Sequence, residues 1–114
     1  MPKPVAPTLC ALVLGLAAGV AHAAEPPAGY ERLTVTNTTD RVAFCTFLFE
    51  GKGRTELAIR PGKSWYESFE PRRDLQLVCQ RGVGRAFGPL TAGKTYRLVP
   101  APGRKIAVAE GAGE

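Results

Sequence analysis

Two cysteines, Cys45 and Cys79, and one eight-residue run, GPLTAGKT at 88–95, are the parts of this chain whose types and spacing could do chemistry. The run fits G-x-x-x-x-G-K-[ST] at every position. A loop of that pattern wraps backbone N–H groups around phosphates at a helix N-terminus, with its lysine on the outer phosphates and its hydroxyl on magnesium. Here TYRLV follows, a strand pattern running into Pro100. Gly88 to Thr95 is therefore expected to be a proline-containing connection with a turn at Gly93-Lys94, and a nucleotide is not expected as a ligand.

Cys45 sits at the centre of VAFCTFLFEG, residues 42–51, and such a place suits a membrane segment, a metal ligand, a nucleophile or one end of a disulfide. A helix needs about 20 residues to cross the hydrocarbon core, and this run stops at Glu50 and Gly51. Zinc takes four ligands of the Cys and His type. A reactive thiolate needs a nearby base and an electropositive, partly open site, whereas this run offers aromatics. A structural disulfide remains.

The first residues change these counts. Lys3, an apolar Leu9–Val20 stretch and the small residues of Ala21-His22-Ala23 have the order of a secretory signal cut after Ala23. The cut removes Cys10 together with the chain's one histidine and one methionine. No integral membrane segment is then expected, and the remaining two cysteines meet an oxidising compartment, periplasmic or extracellular, where they pair. The expected organisation is a signal at 1–23, a flexible lead-in at 24–29, one β domain at 30–110 and a flexible tail at 111–114. Removing Lys3 from 15 Lys and Arg leaves fourteen against 10 Asp and Glu, a surplus that attracts anionic surfaces. The alanine-, glycine- and arginine-rich composition points to a bacterial source.

Without histidine neither a Ser-His-Asp triad nor a Cys-His pair can be built, so no enzyme, cofactor or metal centre is expected. The rival chemistry is a carboxylate pair drawn from Glu67, Glu70 and Asp74, of the kind glycosidases use. Asn37-Thr38-Thr39 fits a glycosylation acceptor and equally a turn.

The elements that must position these residues are strands. Seven are expected, at 31–37, 41–50, 54–60, 63–70, 75–80, 94–99 and 104–109, each a short run of β-branched and aromatic residues cut by turn residues. Strand alternation puts Ala43, Cys45, Phe47 and Phe49 on one face, opposite Val42, Phe44, Thr46 and Leu48, and Leu75, Leu77 and Cys79 likewise share a face. Both cysteines thus point into one small core, and closing a loop of that length is worth about 4 kcal/mol in the chain-entropy model. The expected fold is all-β, a small antiparallel β-sandwich with one disulfide, or alternatively a small β-barrel.

Cys45, Trp65 and Cys79 together form a set that resembles the immunoglobulin sandwich. The resemblance implies an immunoglobulin-like architecture, in which an indole packs on a bridge between the sheets. It extends to no other residue.

The expected working surface is the long connection at 81–93, with Arg81, Arg85 and Phe87 as a cation-plus-aromatic set that could anchor a partner. Phe87 could equally plug the end of the core. Arg72, Arg73, Arg104 and Lys105 would widen the basic area if they share that end. The functional expectation is an exported, non-enzymatic module that binds a protein or an anionic envelope component, as an inhibitor or accessory module would. The alternatives are charge-driven binding of nucleic acid or a membrane surface, and a minimal carboxylate-dependent hydrolase.

Overall fold

A computed structural model of the chain describes residues 25–111. The expected signal at 1–23 and most of the expected tail lie outside the described residues. Eight strands follow in order: β1 Glu31–Asn37, β2 Ala43–Phe49, β3 Lys52–Ile59, β4 Ser64–Phe69, β5 Leu75–Cys79, β6 Phe87–Leu90, β7 Thr95–Ala101 and β8 Lys105–Glu110. They form two four-stranded sheets, one ordered β4-β1-β7-β8 and the other β3-β2-β5-β6. There is no helix among the described residues, and the two sheets pack as a sandwich.

Seven of these strands lie where alternation places them. The eighth, β6, falls inside the stretch read as a connection. It holds Gly88 and Pro89, both poor strand formers, and it survives as a short edge strand paired only to β5, through Leu77 with Phe87 and Leu75 with Leu90. One pairing departs from an antiparallel expectation. β1 and β7 run parallel, from Thr34 with Thr95 to Asn37 with Leu98. Parallel neighbours need a long crossover, and here the whole of β2 to β6 supplies it.

Burial follows the strand period. Leu33, Val35, Phe47, Leu77 and Leu98 are fully buried, and the core extends through Cys45, Leu57, Ile59, Phe69, Tyr96 and Ile106. Along the side where β2 and β3 approach β4, aromatic rings interlock across the two sheets. Phe47 stands 5.0 Å from Trp65 and 5.1 Å from Phe69, and Phe49 stands 5.9 Å from Phe69. Such ring pairs add to their area burial.

The disulfide is Cys45–Cys79, as expected, but not as the immunoglobulin resemblance implies. Both cysteines belong to one sheet, directly opposite each other on neighbouring β2 and β5 with Cα atoms 3.9 Å apart. The next pair outward is joined by Gln80 N donating to Phe44 O at 2.9 Å, so the cysteines occupy the close, non-hydrogen-bonded position of the ladder. The bridge pins the register of two strands rather than tying the sheets together, and the tryptophan packs on Phe47.

Candidate functional site

The register places all turns at one of two ends. At one end lie the connections 38–42, 60–63, 80–86 and 102–104, and at the other lie 50–51, 70–74 and 91–94. The first end gathers Arg41, Arg60, Lys63, Arg81, Arg85, Arg104 and Lys105 against Asp40 as its one acid among the described residues. The second mixes Lys52, Arg72, Arg73 and Lys94 with Glu31, Glu50, Glu70, Asp74 and Glu110. The sandwich therefore has a basic pole, and the potential of that pole is a sum over turns far apart in sequence.

Asn37 builds the pole. Its side chain is fully buried at the end of β1, where its amide donates to Arg41 O at 2.6 Å and Ile59 O at 2.7 Å. Its carbonyl oxygen accepts from Thr39 N at 2.9 Å and from the Thr39 hydroxyl at 2.6 Å. Every bond a primary amide can make is thus made, and the carbonyls it holds belong to the opposite sheet and its lead-in. The Asn37-Thr38-Thr39 motif is a buried corner, and its amide is not available to carry a glycan.

On the other side of the pole, the chain after β5 crosses to β8. Gly82 bridges Ile106 in parallel fashion, while Ile106 N donates to Arg81 O at 2.8 Å and Val83 N to Ile106 O at 3.0 Å. Phe87 covers this crossing. A Cβ on Gly82 would lie 3.1 Å from the Phe87 ring and 3.2 Å from Cys79 O, so a side chain here would need the ring and the strand to give way by a few tenths of an ångström. Phe87 is partly buried against the core and is the plug for this end.

Between the 39–44 and 100–106 segments opens a groove of about 550 Å³. Val42 and Phe44, 38% and 50% exposed, give it an apolar wall, and Arg41, Arg81, Arg104 and Lys105 stand around it with Asp40. Arg81 is held in place by Nε donating to Arg104 O at 2.8 Å. Arg81 and Arg104 both adopt positive φ, 65° and 61°, a conformation that favours glycine. Arg41 has a loose ion pair with Asp40 at 3.9 Å, and no carboxylate among the described residues pairs with Arg81, Arg104 or Lys105. The arrangement can hold an anion beside an apolar group.

Of the residues singled out from sequence, Arg81 and Arg85 lie at this pole, and Arg104 and Lys105 join them. Arg72 and Arg73 do not, because the β4–β5 turn belongs to the opposite end. Arg73 donates to Glu70 at 3.1 Å, which holds its guanidinium above the usual arginine range. Arg41, Val42 and Phe44 went unremarked as site residues, although large apolar residues on the outward face of β2 are a signal that alternation exposes.

The 88–95 run has the geometry of strand, turn and strand. Thr91 N donates to the Tyr96 hydroxyl at 2.7 Å, Gly93 N to Arg32 O at 3.0 Å and Lys94 N to Thr91 O at 3.2 Å, so its amides are spent within the fold. Gly88 is there because a Cβ would meet Leu75 O at 3.0 Å. Lys94 pairs with Glu110 at 2.8 Å. Of the carboxylates considered for hydrolysis, Glu67 is paired with Arg54 and Glu70 with Arg73, while Asp74 N donates to Glu50 at 2.9 Å. Among the described residues no cluster of three or more His, Cys, Asp or Glu could hold a metal ion, and no helix is long and apolar enough to cross a membrane. Comparison with family models, with curated proteins and with solved structures finds no match, so any functional reading of this chain rests on the geometry of its basic pole.

Proposed function

We propose that this chain is a small exported binding module without enzymatic activity, and that its basic pole holds a protein or an anionic component of the cell envelope. One observation carries the reading: Arg81, Arg104 and Lys105, without carboxylate partners among the described residues, converge with the loosely paired Arg41 from three separate turns around an apolar groove, while Arg54, Arg73 and Lys94 have carboxylates of their own. Converging like charges repel one another, and an anionic partner removes that repulsion while gaining the hydrogen-bond donors. The apolar wall adds burial to charge. The disulfide is compatible with an oxidising compartment, as export requires.

The test compares the two ends. Cross-linked neighbours are captured from the native envelope with wild-type protein, with Arg81→Ala/Arg104→Ala/Lys105→Ala, and with Arg72→Ala/Arg73→Ala. The pole variant loses the captured partner while circular dichroism and melting stay near wild type, and the opposite-end variant keeps it. Equal capture by all three would overturn the reading.

A further inference from the structure

The groove also carries information about the shape of what fills it. In the β2–β5 ladder Cys45 faces Cys79 and Phe44 faces Gln80, so Val42 would face residue 82 if the ladder continued. It does not continue, because Gly82 N turns back to Cys79 O at 3.1 Å and the chain crosses to Ile106. β2 therefore overhangs its neighbour by one step, and Val42 borders the groove where a strand residue would otherwise lie. An extended backbone fits such a step by continuing the sheet.

The side chains agree with an extended polypeptide. Val42, one residue before β2, and Phe44 lie two apart and both line the groove, the spacing at which an added strand presents alternate side chains. Arg81 has its Nε committed to Arg104 O, which leaves the two Nη groups as an end-on fork suited to a carboxylate. Arginine occupies positions 81 and 104 although the backbone there favours glycine, as it also does at Glu50 and Arg72 at the opposite end.

Resting on the reading above, we infer that the groove receives an extended acidic peptide segment of a partner protein, its apolar side chain against Val42 and Phe44 and its carboxylates on Arg81 and Arg104. The segment lies along the overhang of β2, and specificity comes from alternating apolar and acidic residues.

The experiment uses the oxidised protein with three probes: a labelled synthetic peptide alternating leucine and glutamate, its counterpart with lysine for glutamate, and vesicles of phosphatidylglycerol. Fluorescence anisotropy is expected to show binding of the glutamate peptide alone, weakened at least about tenfold by Arg81→Ala and by Phe44→Ala. Because Arg81 also fastens the 102–104 turn, Arg104→Gly serves as a second variant that the backbone accepts without strain, and it too weakens binding. Equal binding of the glutamate peptide by wild type, Arg81→Ala and Arg104→Gly overturns the inference. Sedimentation with vesicles and no response to either peptide also overturns it, while leaving the basic-pole reading in place. No binding to the glutamate peptide or to vesicles likewise overturns the inference, while the basic-pole reading stands or falls by the envelope capture.

Discussion

The two ends of the sandwich spend their charges differently. At the end holding β4–β5 and β6–β7, three cations are neutralised locally, Arg73 by Glu70, Lys94 by Glu110 and, a step along the strands, Arg54 by Glu67 across the two sheets, while Lys52 and Arg72 have no carboxylate partner among the described residues. Arg54 also lies 5.4 Å from the Phe49 ring and 5.5 Å from Phe69, closing the aromatic seam. At the basic pole, structure is held by uncharged means, through the Asn37 amide, the crossing to Ile106 and the nearby disulfide. Apart from Arg81, which fastens the 102–104 turn through Arg104 O, its cations carry little of the fold. Charge that takes no part in local pairing is charge available to a partner, and the contrast within one small domain is what gives the pole its meaning.

The contrast is broken most severely by removing what holds the pole. Replacing both cysteines, as Cys45→Ala/Cys79→Ala, should lower stability by about 4 kcal/mol, read from the midpoint of urea unfolding of the oxidised protein. Asn37→Ala follows at about 3 kcal/mol, since it strands buried carbonyls at Arg41 and Ile59 and the Thr39 amide. The same urea titration measures it, and a loss no larger than that of an exposed substitution would remove Asn37 as the corner of the pole.

Smaller changes sharpen the comparison. Arg54→Ala, toward the neutralised end, should cost about 1 kcal/mol through its ring contacts and its pair with Glu67. Arg104→Gly, at the pole, should leave stability within about 0.5 kcal/mol, because relief of the positive φ offsets the added freedom of the unfolded chain. Thermal melts of the two side by side test whether cations at the two ends differ in structural use.

The smallest effect is one of pH. Lys94 is held above its ordinary value of 10.5, first by its hydrogen bond to Glu110 and then by the charge of that carboxylate. A raised folded value means that the pair's contribution is fully present below 10.5 and is lost as pH rises through the folded value. Urea midpoints of wild type and Lys94→Met should therefore differ below pH 10.5 and converge as pH rises through the higher folded value. Arg104→Gly should show no such convergence.

Much of the scaffold was legible in the residues. Alternation along β2 and β5 aligned Cys45 with Phe47 and Cys79 with Leu77 on inward faces, and the two cysteines are bonded. The same alternation turned Val42 and Phe44 outward. What escaped was β6, where glycine and proline hide a strand that only an edge position tolerates. Asn37 escaped as well, since a turn-like Asn-Thr-Thr gives no sign that its amide will be buried and fully bonded. In the candidate site, Arg81 was legible as a cation in a long connection, whereas Arg72 and Arg73, its equals by residue type, proved to serve the other end.

From its order of residues alone, this chain specified short strands, their inward faces and the inward aim of Cys45 and Cys79, because side-chain alternation is a local property with a period of two. Strand neighbourhood was settled in three dimensions. The parallel contact of β1 with β7 and the placing of the bridge within one sheet depend on where a returning chain finds an open strand edge. So does the basic pole, whose arginines and lysines come from four turns that the sequence separates and the packing of two sheets brings to one end.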